Sequence, residues 1–369
     1  YIDLGKDCST AEVNPLFSDS VYIDRLSRIP AVMEMPYNDI VRKFIDMYAG
    51  RLRNQVSFML SACNFYMPIF EEALDAYGLP LELKYLPIIE SALNPSAVSR
   101  AGASGLWQFM IGTGKIYGLE SNSLIDERRD PIKATWAAAR YLKEMYDIYG
   151  DWNLVIAAYN CGPGTINKAI RRAGGETDYW KIYNLLPKET RGYVPAFIAA
   201  NYVMTYYCDH NICPMETNIP ASTDTVQVTQ NLHFEQIAEL CNVPLDEVKS
   251  LNPQYKKQII PGTTKPCTLR LPQGAISAFI DKQDTIYAHR ADELFRNRKT
   301  VAVKEITPAT RRQTSAIAGK GKLTYYKIKS GDTLSSIAEK LGVRVRDIQQ
   351  WNGMSNTRIS AGKQLKIYK

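Results

Sequence analysis

The feature that most restricts the fold of this chain is a change of sequence pattern at Pro214 and Pro220. Before these prolines, apolar residues recur at the three- and four-residue spacing of helices, and strand-like alternation is scarce. After them, two stretches follow the same order of strand, helix, helix and strand, with a repeat length of roughly 45 residues. The two copies, residues 221–273 and 324–369, are too far apart to stack as a solenoid. The pattern therefore predicts one mainly α domain followed by small α+β modules.

The other boundaries follow from periodicity and from turn-forming residues. Residues 1–30 show no period and read as an irregular N-terminal strap, whereas residues 31–215 form the helical domain. A domain of this length can bury a sizeable core. Residues 274–323 read as a helical segment followed by a basic linker.

Charge is distributed unevenly along the chain. From Arg296 to Lys369 there are 17 Lys and Arg against 4 Asp and Glu, whereas residues 1–295 carry 28 against 34. A basic tail favours an anionic partner, such as nucleic acid, lipid headgroups or a carboxylate-bearing cell-wall polymer. A solvated basic linker is an equally simple interpretation. No nucleic-acid fold signature is present, so we expect no nucleic-acid partner.

The cysteines and histidines do not indicate a metal centre. The seven cysteines include no C-x-x-C pair, and the three histidines are scattered. Cys208 with Cys213, and Cys241 with Cys267, are spaced so that each pair could form a bridge in an oxidising compartment. Buried thiols explain each pair equally well.

The stretch from Tyr85 to Ala92 ends a strongly apolar helical face with a carboxyl group, Glu90. A carboxyl in a low-dielectric site has a raised pKa and can keep its proton near neutral pH. That property suits a general acid, which protonates the leaving oxygen of the bond being broken. For an isolated glutamate, a solvated charge at a helix end is the simpler interpretation, so the neighbouring motifs decide between the two.

Two further segments carry polar groups typical of a binding cleft. Between Ser99 and Met110, closely spaced glycines allow a tight backbone approach before a helix begins, and Gln108 offers an amide for hydrogen bonding. Between Ala157 and Gly164, a tyrosine and an asparagine end one helix before a Gly-Pro-Gly turn. Core packing explains either segment when it is taken alone.

Together, in this order and spacing, the segments resemble the catalytic domain of the family 1 lytic transglycosylases, lysozyme-like enzymes that cleave bacterial peptidoglycan. The resemblance covers residues 80–200. The matching motifs are Glu-Ser at 90–91, Ser-x-x-Gly-Ala-x-Gly-Leu-x-Gln at 99–108, Ala-Tyr-Asn at 158–160 and the segment at 189–195. The two βααβ copies resemble LysM modules, which bind glycans that contain N-acetylglucosamine.

The resemblance implies a mainly α, lysozyme-like catalytic domain that cleaves the MurNAc-GlcNAc β-1,4 bond of peptidoglycan and forms 1,6-anhydromuramic acid. One protonatable residue suffices for this reaction, because the muramic C6 hydroxyl attacks C1 within the same substrate. No metal or cofactor is implied. Glu90 would be the acid and base, and Tyr193 would orient it unless that tyrosine is only a buried helix contact. The implied substrate-binding residues are Ser91, Ser99, Gln108, Tyr159, Asn160 and Tyr193.

The two LysM-like copies differ in the turn that the resemblance marks as glycan-binding. The copy at 324–369 keeps the turn and a following asparagine, so its implied binding residues are Gly331, Asp332, Thr333 and Asn352. The copy at 221–273 is degenerate, because Gln230-Asn231-Leu232 replaces the turn, and this puts its glycan binding in doubt.

A second departure from the family pattern lies in the catalytic domain. Trp107 stands where the family usually has a shorter residue, so the floor of the sugar subsite is expected to differ.

Two alternatives to a lytic transglycosylase stay open from the sequence. A hydrolytic muramidase would need a second carboxylate near the cleft, for which Glu82, Asp126 and Asp130 are available. A non-catalytic scaffold that only binds peptidoglycan is the other alternative.

The implied partner is the glycan strand of peptidoglycan, and the implied location is the periplasm or cell envelope. The chain starts at Tyr1 without an initiator Met or a signal peptide. We therefore expect a processed chain, and a lipid signal for outer-membrane anchoring would lie in the missing part of the precursor. The sequence leaves the oligomeric state open.

Overall fold

The computed structural model describes residues 13–295 except 218 and 221, and residues 323–368 except 330, 331, 344, 353 and 355–358. The chain divides after Val303 into two compact units. The basic linker expected at 296–322 lies outside the described residues. Within the described ranges, no helix combines the length and the apolar character needed to cross a membrane.

The first unit begins with a helical domain. Its helices are α1 Asp19–Ser27, α2 Asp39–Ala49, α3 Arg53–Ala76, α4 Leu86–Ser91, α5 Ile111–Ile116, α6 Pro131–Tyr149, α7 Trp152–Cys161, α8 Pro163–Arg172, α9 Tyr179–Ile182 and α10 Lys188–Thr205. Helix α10 is buried on most of its circumference and contacts α2, α4 and α7. A helix that is apolar all round belongs in the middle of a core, so α10 forms the centre of the domain.

The expectation of an irregular strap over residues 1–30 is wrong for its second half, because residues 19–27 form α1. Its two buried side chains, Tyr22 and Leu26, are four residues apart on one helix face. Tyr22 packs against Tyr202 of α10 with ring centroids 5.4 Å apart. Two inward positions in nine residues make too weak a period to detect from sequence, and tertiary packing supplies the stability of this helix.

A second, smaller core follows the helical domain within the first unit. Strands β1 Thr223–Val228 and β4 Cys267–Pro272 pair antiparallel, as do the short strands β2 Asn231–His233 and β3 Ile259–Pro261. The helices of this region are α11 Phe234–Cys241, α12 Leu245–Leu251, α13 Gln273–Asp281, α14 Gln283–Ala288 and α15 Ala291–Leu294.

The expected boundary at residue 273 falls inside this second core. Phe279 of α13 and Ile286 of α14 are buried in the same cluster as Val228 and Leu269 of the two paired strands. Helices that share one core with a sheet belong to the same module. We therefore propose that the module, hereafter the docked module, comprises residues 222–288.

The second unit repeats the βααβ order with strands β5 Leu323–Lys327 and β6 Gln364–Tyr368 around helices α16 Leu334–Leu341 and α17 Val345–Trp351. One asparagine has the same contacts in both copies. The Nδ2 of Asn252 donates to the carbonyls of Val248 and Arg270, and the Nδ2 of Asn352 donates to those of Ile348 and Lys366. This asparagine fastens the second helix of each copy to its closing strand.

Neither suggested disulfide forms. Cys208 is disulfide-bonded, but Cys213 keeps its thiol, so these two residues do not bridge each other. Cys241 and Cys267 are both free thiols buried in the core of the docked module. Burial raises the pKa of both thiols, which keeps them in the unreactive protonated form.

Candidate active site

Helix α4 places Glu90 in its last turn. Pro87 lies in the first turn, where its fixed φ favours the start of a helix, and the buried side chains of Leu86 and Ile88 anchor the helix to the core. The helix stops directly after Ser91, because Ala92 and Leu93 adopt left-handed backbone conformations with φ of 52° and 58°. Such conformations cost about 1–2 kcal/mol per non-glycine residue and cluster at functional sites.

Glu90 lies in a groove with a volume of about 560 Å³. Helices α2, α3, α4 and α10 and the loop after α4 form its walls. The lining residues discussed below are Phe44, Met47, Tyr48, Ser91, Ser99, Gln108, Glu189 and Tyr193. Most of the surface is apolar, so the carboxyl stands among few groups that could solvate its charge.

Three effects set the proton affinity of Glu90. Burial raises the pKa of the carboxyl to about 7, the hydrogen bond that Tyr193 donates to its Oε1 lowers it, and the negative charge of Glu189 raises it. Burial is the largest effect because the groove offers little solvent to the charged form. Glu90 therefore holds a proton through the acidic range and can exchange it near neutral pH.

The loop of residues 97–109, hereafter the groove loop, brings polar groups to the lining of the groove that contains Glu90. Ser99 accepts a hydrogen bond from the backbone N–H of Ala103 at 3.0 Å, which leaves its proton to donate elsewhere. Gln108 donates from Nε2 to the carbonyls of Gly105 and Ala97 at 2.8 and 3.3 Å. Its amide oxygen is then the group suited to accept a hydrogen bond from a ligand.

Ser91 lines the groove, but its hydroxyl lies 2.9 Å from the carbonyl of Leu106 and 3.0 Å from that of Pro87. A hydroxyl has one proton, and here that proton serves the backbone. The contact ties the end of α4 to the groove loop. Ser91 is thus placed to hold Glu90 and the loop together rather than to bind Glu90 directly.

Tyr159 and Asn160 are not in the described lining of the groove. The hydroxyl of Tyr159 donates to the carbonyl of Trp107 at 2.7 Å, and Oδ1 of Asn160 accepts from the hydroxyl of Thr190 at 2.9 Å. Burial raises the pKa of Tyr159, and the charge of Glu90 raises it further, so this tyrosine is close to the acid. These contacts connect α7 to the groove loop and to α10.

Trp107, which led us to expect a different floor of the sugar subsite, is not in the described lining of the groove. Its side chain is fully buried, donates from Nε1 to Thr135 at 2.9 Å, and meets Phe70 edge to face with ring centroids 5.3 Å apart. The backbone of the groove loop turns this large ring into the core. Sequence alone does not show which way a side chain in a loop points.

None of the three carboxylates considered for a hydrolytic reaction lines the groove. Glu82 accepts from the backbone N–H of Met33, Asp126 is ion-paired with Arg128, and Asp130 caps the start of α6. Glu189 is the other carboxyl in the described lining of the groove.

Sequence reasoning missed the wall that α2 contributes. Phe44, Met47 and Tyr48 line the groove, although in the sequence they are ordinary members of an amphipathic helical pattern. No local signal distinguishes such residues from core residues, since their position depends on how α2 packs against α10.

In the second unit, the candidate glycan-binding side chains make local backbone contacts. Asp332 accepts from the backbone N–H of Lys329 at 2.8 Å and from the hydroxyl of Tyr326 at 3.0 Å. Thr333 accepts from the N–H of Ser336 at 3.1 Å at the start of α16. Asn352 uses its amide for the strand contacts described above, so it is placed as a scaffold residue. Gly331 lies outside the described residues.

No cluster of three or more His, Cys, Asp or Glu side chains within the described ranges could hold a metal ion. The site instead has one carboxylic acid of raised pKa in a groove of a helical domain. This arrangement places the protein in the class of lysozyme-like enzymes, in which such an acid protonates the bond that breaks.

Comparisons with known proteins identify the family. Residues 67–182 match the family model "Transglycosylase SLT domain", residues 222–288 match "Lytic transglycosylase MltD, LysM-like domain", and residues 326–367 match "LysM domain". The chain is 30% identical over 341 residues to membrane-bound lytic murein transglycosylase D of Escherichia coli (strain K12), covering 91% of this chain and 70% of that protein. The chain therefore belongs to the lytic murein transglycosylase family, and the prediction of a lytic transglycosylase with LysM modules is confirmed.

Other similarities are confined to part of the chain. Soluble lytic murein transglycosylase of Escherichia coli (strain K12) is 33% identical over 124 residues, which is 32% of this chain and 19% of that protein. The crystal structure of the 70 kDa soluble lytic transglycosylase from Escherichia coli matches with a TM-score of 0.34 and 28% identity, over 41% of this chain and 26% of that chain.

Proposed function

We propose that this enzyme cleaves the MurNAc-GlcNAc β-1,4 bond of peptidoglycan and leaves 1,6-anhydromuramic acid at the new end. The observation that carries the proposal is Glu90, a carboxylic acid with a pKa of about 7 inside a groove whose described lining holds one other carboxyl, Glu189. An acid in that state can both give and retake a proton. No second carboxylate is required when the substrate supplies the nucleophile.

The proposed reaction has two proton transfers at Glu90. First, the protonated carboxyl donates to the glycosidic oxygen, so that the C1–O bond breaks and the N-acetylglucosamine side leaves as an alcohol. The resulting carboxylate then removes the proton of the muramic C6 hydroxyl, and the C6 oxygen bonds to C1. No water is consumed, and the reaction within one sugar benefits from a large effective molarity.

The surrounding side chains would hold the acid and the sugar. Tyr193 keeps Glu90 in place through its hydrogen bond. Ser99 and the amide oxygen of Gln108 are suited to bind the hydroxyl and acetamido groups of the substrate. Ser91, Tyr159 and Asn160 would act less directly, by fixing the helix end and the loop that carry these groups.

Product analysis tests the proposal. Muropeptides released from purified peptidoglycan by the wild-type chain should carry 1,6-anhydro ends, which are 18 Da lighter than hydrolysed ends because one water is not added. Mass spectrometry distinguishes the two products. Free reducing ends would overturn the proposal and favour a hydrolytic muramidase, for which Glu189 is the available second carboxylate. Absence of any released product would favour a glycan-binding scaffold.

We further propose that the second unit tethers the enzyme to the glycan strands of peptidoglycan in the cell envelope. The supporting observations are the LysM match at residues 326–367 and the basic composition from Arg296 to the C-terminus. A polymer held by one module keeps the catalytic groove close to further bonds of the same polymer and raises their effective concentration. Anchoring in the outer membrane through a lipid belongs to the same proposal and rests on the relative that is named as membrane-bound.

Removing residues 323–369 should weaken binding to intact peptidoglycan sacculi while leaving turnover of short soluble glycans nearly unchanged. The expected loss of sacculus binding is on the order of 10²-fold, because the tether contributes avidity and not chemistry. A pelleting assay measures binding, and released anhydro ends measure turnover. Equal loss on both substrates would contradict the tethering proposal.

A further inference from the structure

The groove loop rests on one buried cation, Arg128. Its Nη1 donates to the carbonyls of Gly102 and Phe109 at 2.8 and 2.9 Å, and these two residues lie on the two limbs of the loop. The carbonyl of Arg128 contacts Gly105 so closely that an added Cβ would lie 1.8 Å from it. The loop that carries Ser99 and Gln108 is therefore wrapped around Arg128.

The charge of Arg128 is balanced by Asp126. Its Nε and Nη2 each donate to one carboxylate oxygen of Asp126 at 2.8 Å, and both side chains are almost fully buried. Burying such a pair is costly unless its hydrogen bonds are complete. Here the two oxygens of the acid and the fork of the guanidinium are all engaged, so the pair has one well-defined geometry.

Asp126 is also where the docked module attaches. The backbone N–H of Asp126 donates to the carbonyl of Gln254 at 2.8 Å, and that of Lys256 donates to the carbonyl of Leu124 at 2.6 Å. The Nζ of Lys256 donates to the carbonyl of Asn122 at 2.8 Å and lies 3.8 Å from Oδ2 of Asp126. The module thus pairs its backbone with this segment and adds a third cation beside the buried acid, after Arg128 and Arg129, whose Nε lies 4.0 Å from Oδ2 of Asp126.

A second cluster of charges reinforces the attachment. Lys265 of the docked module pairs with Glu120 and lies 3.5 Å from Glu127, which also pairs with Lys133 at 2.6 Å. Burial raises the pKa of Glu127, but hydrogen bonds from Lys133 and from the backbone N–H of Glu120, together with the charges of Lys133 and Lys265, lower it overall, so Glu127 stays ionised. The two ends of residues 120–127 are therefore both fixed to the module.

The docked module attaches through a segment that is longer than the corresponding segment of the second unit. From Asn252 to its partner strand residue Arg270 there are 18 positions, against 14 from Asn352 to Lys366. The longer segment contains Lys256 and strand β3. This strand pairs with β2, which includes Asn231 and Leu232 of the sequence that replaces the LysM turn. The extra residues therefore serve docking and close the turn region.

We propose that Arg128 is a positioning residue for the transglycosylase reaction, and that the docked module holds the groove loop in its substrate-binding geometry through Lys256, Asp126 and Arg128. This inference rests on the proposed role of the groove in glycan cleavage. The contacts run from Lys256 to Asp126, from Asp126 to Arg128, and from Arg128 to both limbs of the loop that bears Ser99 and Gln108. Glu90 itself is not part of this series of contacts.

The test uses the full chain with Lys256→Met and Arg128→Lys, and measures kcat, KM and the pH profile on a soluble glycan oligomer. Lys256→Met should raise KM on the order of tenfold, equivalent to about 1.4 kcal/mol, with little change in kcat. Arg128→Lys loses the planar group in which Nε and Nη2 hold Asp126 while Nη1 donates to both loop carbonyls, and it should raise KM further. The pH midpoint set by Glu90 should be the same in both variants, because the acid is not moved.

The matched control is Lys282→Met, which removes another module lysine whose Nζ donates to a backbone carbonyl, that of Leu240 at 3.0 Å. It should leave KM unchanged. The inference is overturned if Lys256→Met and Lys282→Met have the same KM, or if kcat falls with Tm while KM stays constant. If the wild-type chain releases no anhydro product, the proposed function has failed instead, so the two failures are distinguishable.

Discussion

Glu90→Gln should lower kcat for glycan cleavage by on the order of 10³-fold or more, since a single general acid or base contributes about 10²–10⁴ and Glu90 would serve as both. Glutamine keeps the shape of the side chain and can still accept the hydrogen bond of Tyr193. Binding to sacculi should therefore persist. Released anhydro ends and a pelleting assay measure the two properties on the same sample.

The control for this substitution is Glu189→Gln, which removes the other carboxyl of the described groove lining.

The pH profile separates the roles of the two carboxyls. In the wild type, kcat/KM should decline as the pH rises through about 7, because Glu90 then loses its proton. The negative charge of Glu189 helps to raise the pKa of Glu90, so its removal should move this decline to lower pH without abolishing turnover. If Glu189→Gln is inactive and Glu90→Gln is not, the assignment of the acid is wrong.

The stability of Glu90→Gln gives an independent check on the state of the carboxyl. Because the pKa of Glu90 is raised in the folded protein, ionisation of the buried carboxyl lowers the free energy of unfolding. The loss begins as the pH rises above the pKa of Glu90 in the unfolded chain, and it reaches its full size once the pH exceeds about 7. A glutamine at this position cannot ionise and so does not suffer this loss. The variant should have a higher Tm than the wild type at pH 8, and the difference should vanish at pH 4.

Gly105→Ala should cause the largest loss of stability among single substitutions in the groove loop. The backbone at Gly105 has a φ of 88°, and an added Cβ would lie 1.8 Å from the carbonyl oxygen of Arg128. The left-handed conformation alone costs an alanine about 1–2 kcal/mol, and relief of the clash requires the loop to leave Arg128. We expect a total loss of about 4 kcal/mol, which is in the range of severe single mutations.

Gly102→Ala is the matched substitution, because Gly102 has a similar φ of 93° but no atom within 4 Å of the added Cβ. Gly102→Ala should lower the free energy of unfolding only by the cost of the left-handed conformation, about 1–2 kcal/mol. Urea denaturation of both variants gives the two free energies of unfolding, and their difference measures the contact between the groove loop and Arg128. Equal losses would show that this contact is not tight.

Helix starts were predictable because the decisive groups are adjacent in sequence. Asn38 accepts from the N–H groups of Ile40 and Val41, and Asp130 accepts from those of Ile132 and Lys133, as the preference of such residues for helix N-termini leads one to expect. Glu90 was predictable from its apolar surroundings together with the motifs that follow it. Its contact with Tyr193, on a helix 103 residues later, was expected only through resemblance to a family.

The direction of side chains in loops and the partners of charged residues were not predictable. Trp107 turns inward, and Asp126, considered as a possible catalytic group, is instead half of a buried ion pair. Both outcomes depend on which distant segment packs against the loop, and local periodicity carries no information about that. The docking of residues 254–256 onto residues 124–126 is of the same kind, because the complementary groups are far apart in the chain.

The attachment at Asp126 bears on how a minimal version of this enzyme should be designed. Ending the protein soon after α10 looks natural, yet it would expose the backbone groups of residues 124–126 that hydrogen-bond to the docked module. It would also leave Asp126 without Lys256, and Glu120 and Glu127 without Lys265. Exposed edges of this kind invite self-association. A shortened protein that ends after Ala288 keeps that edge covered and is the smallest version we would make.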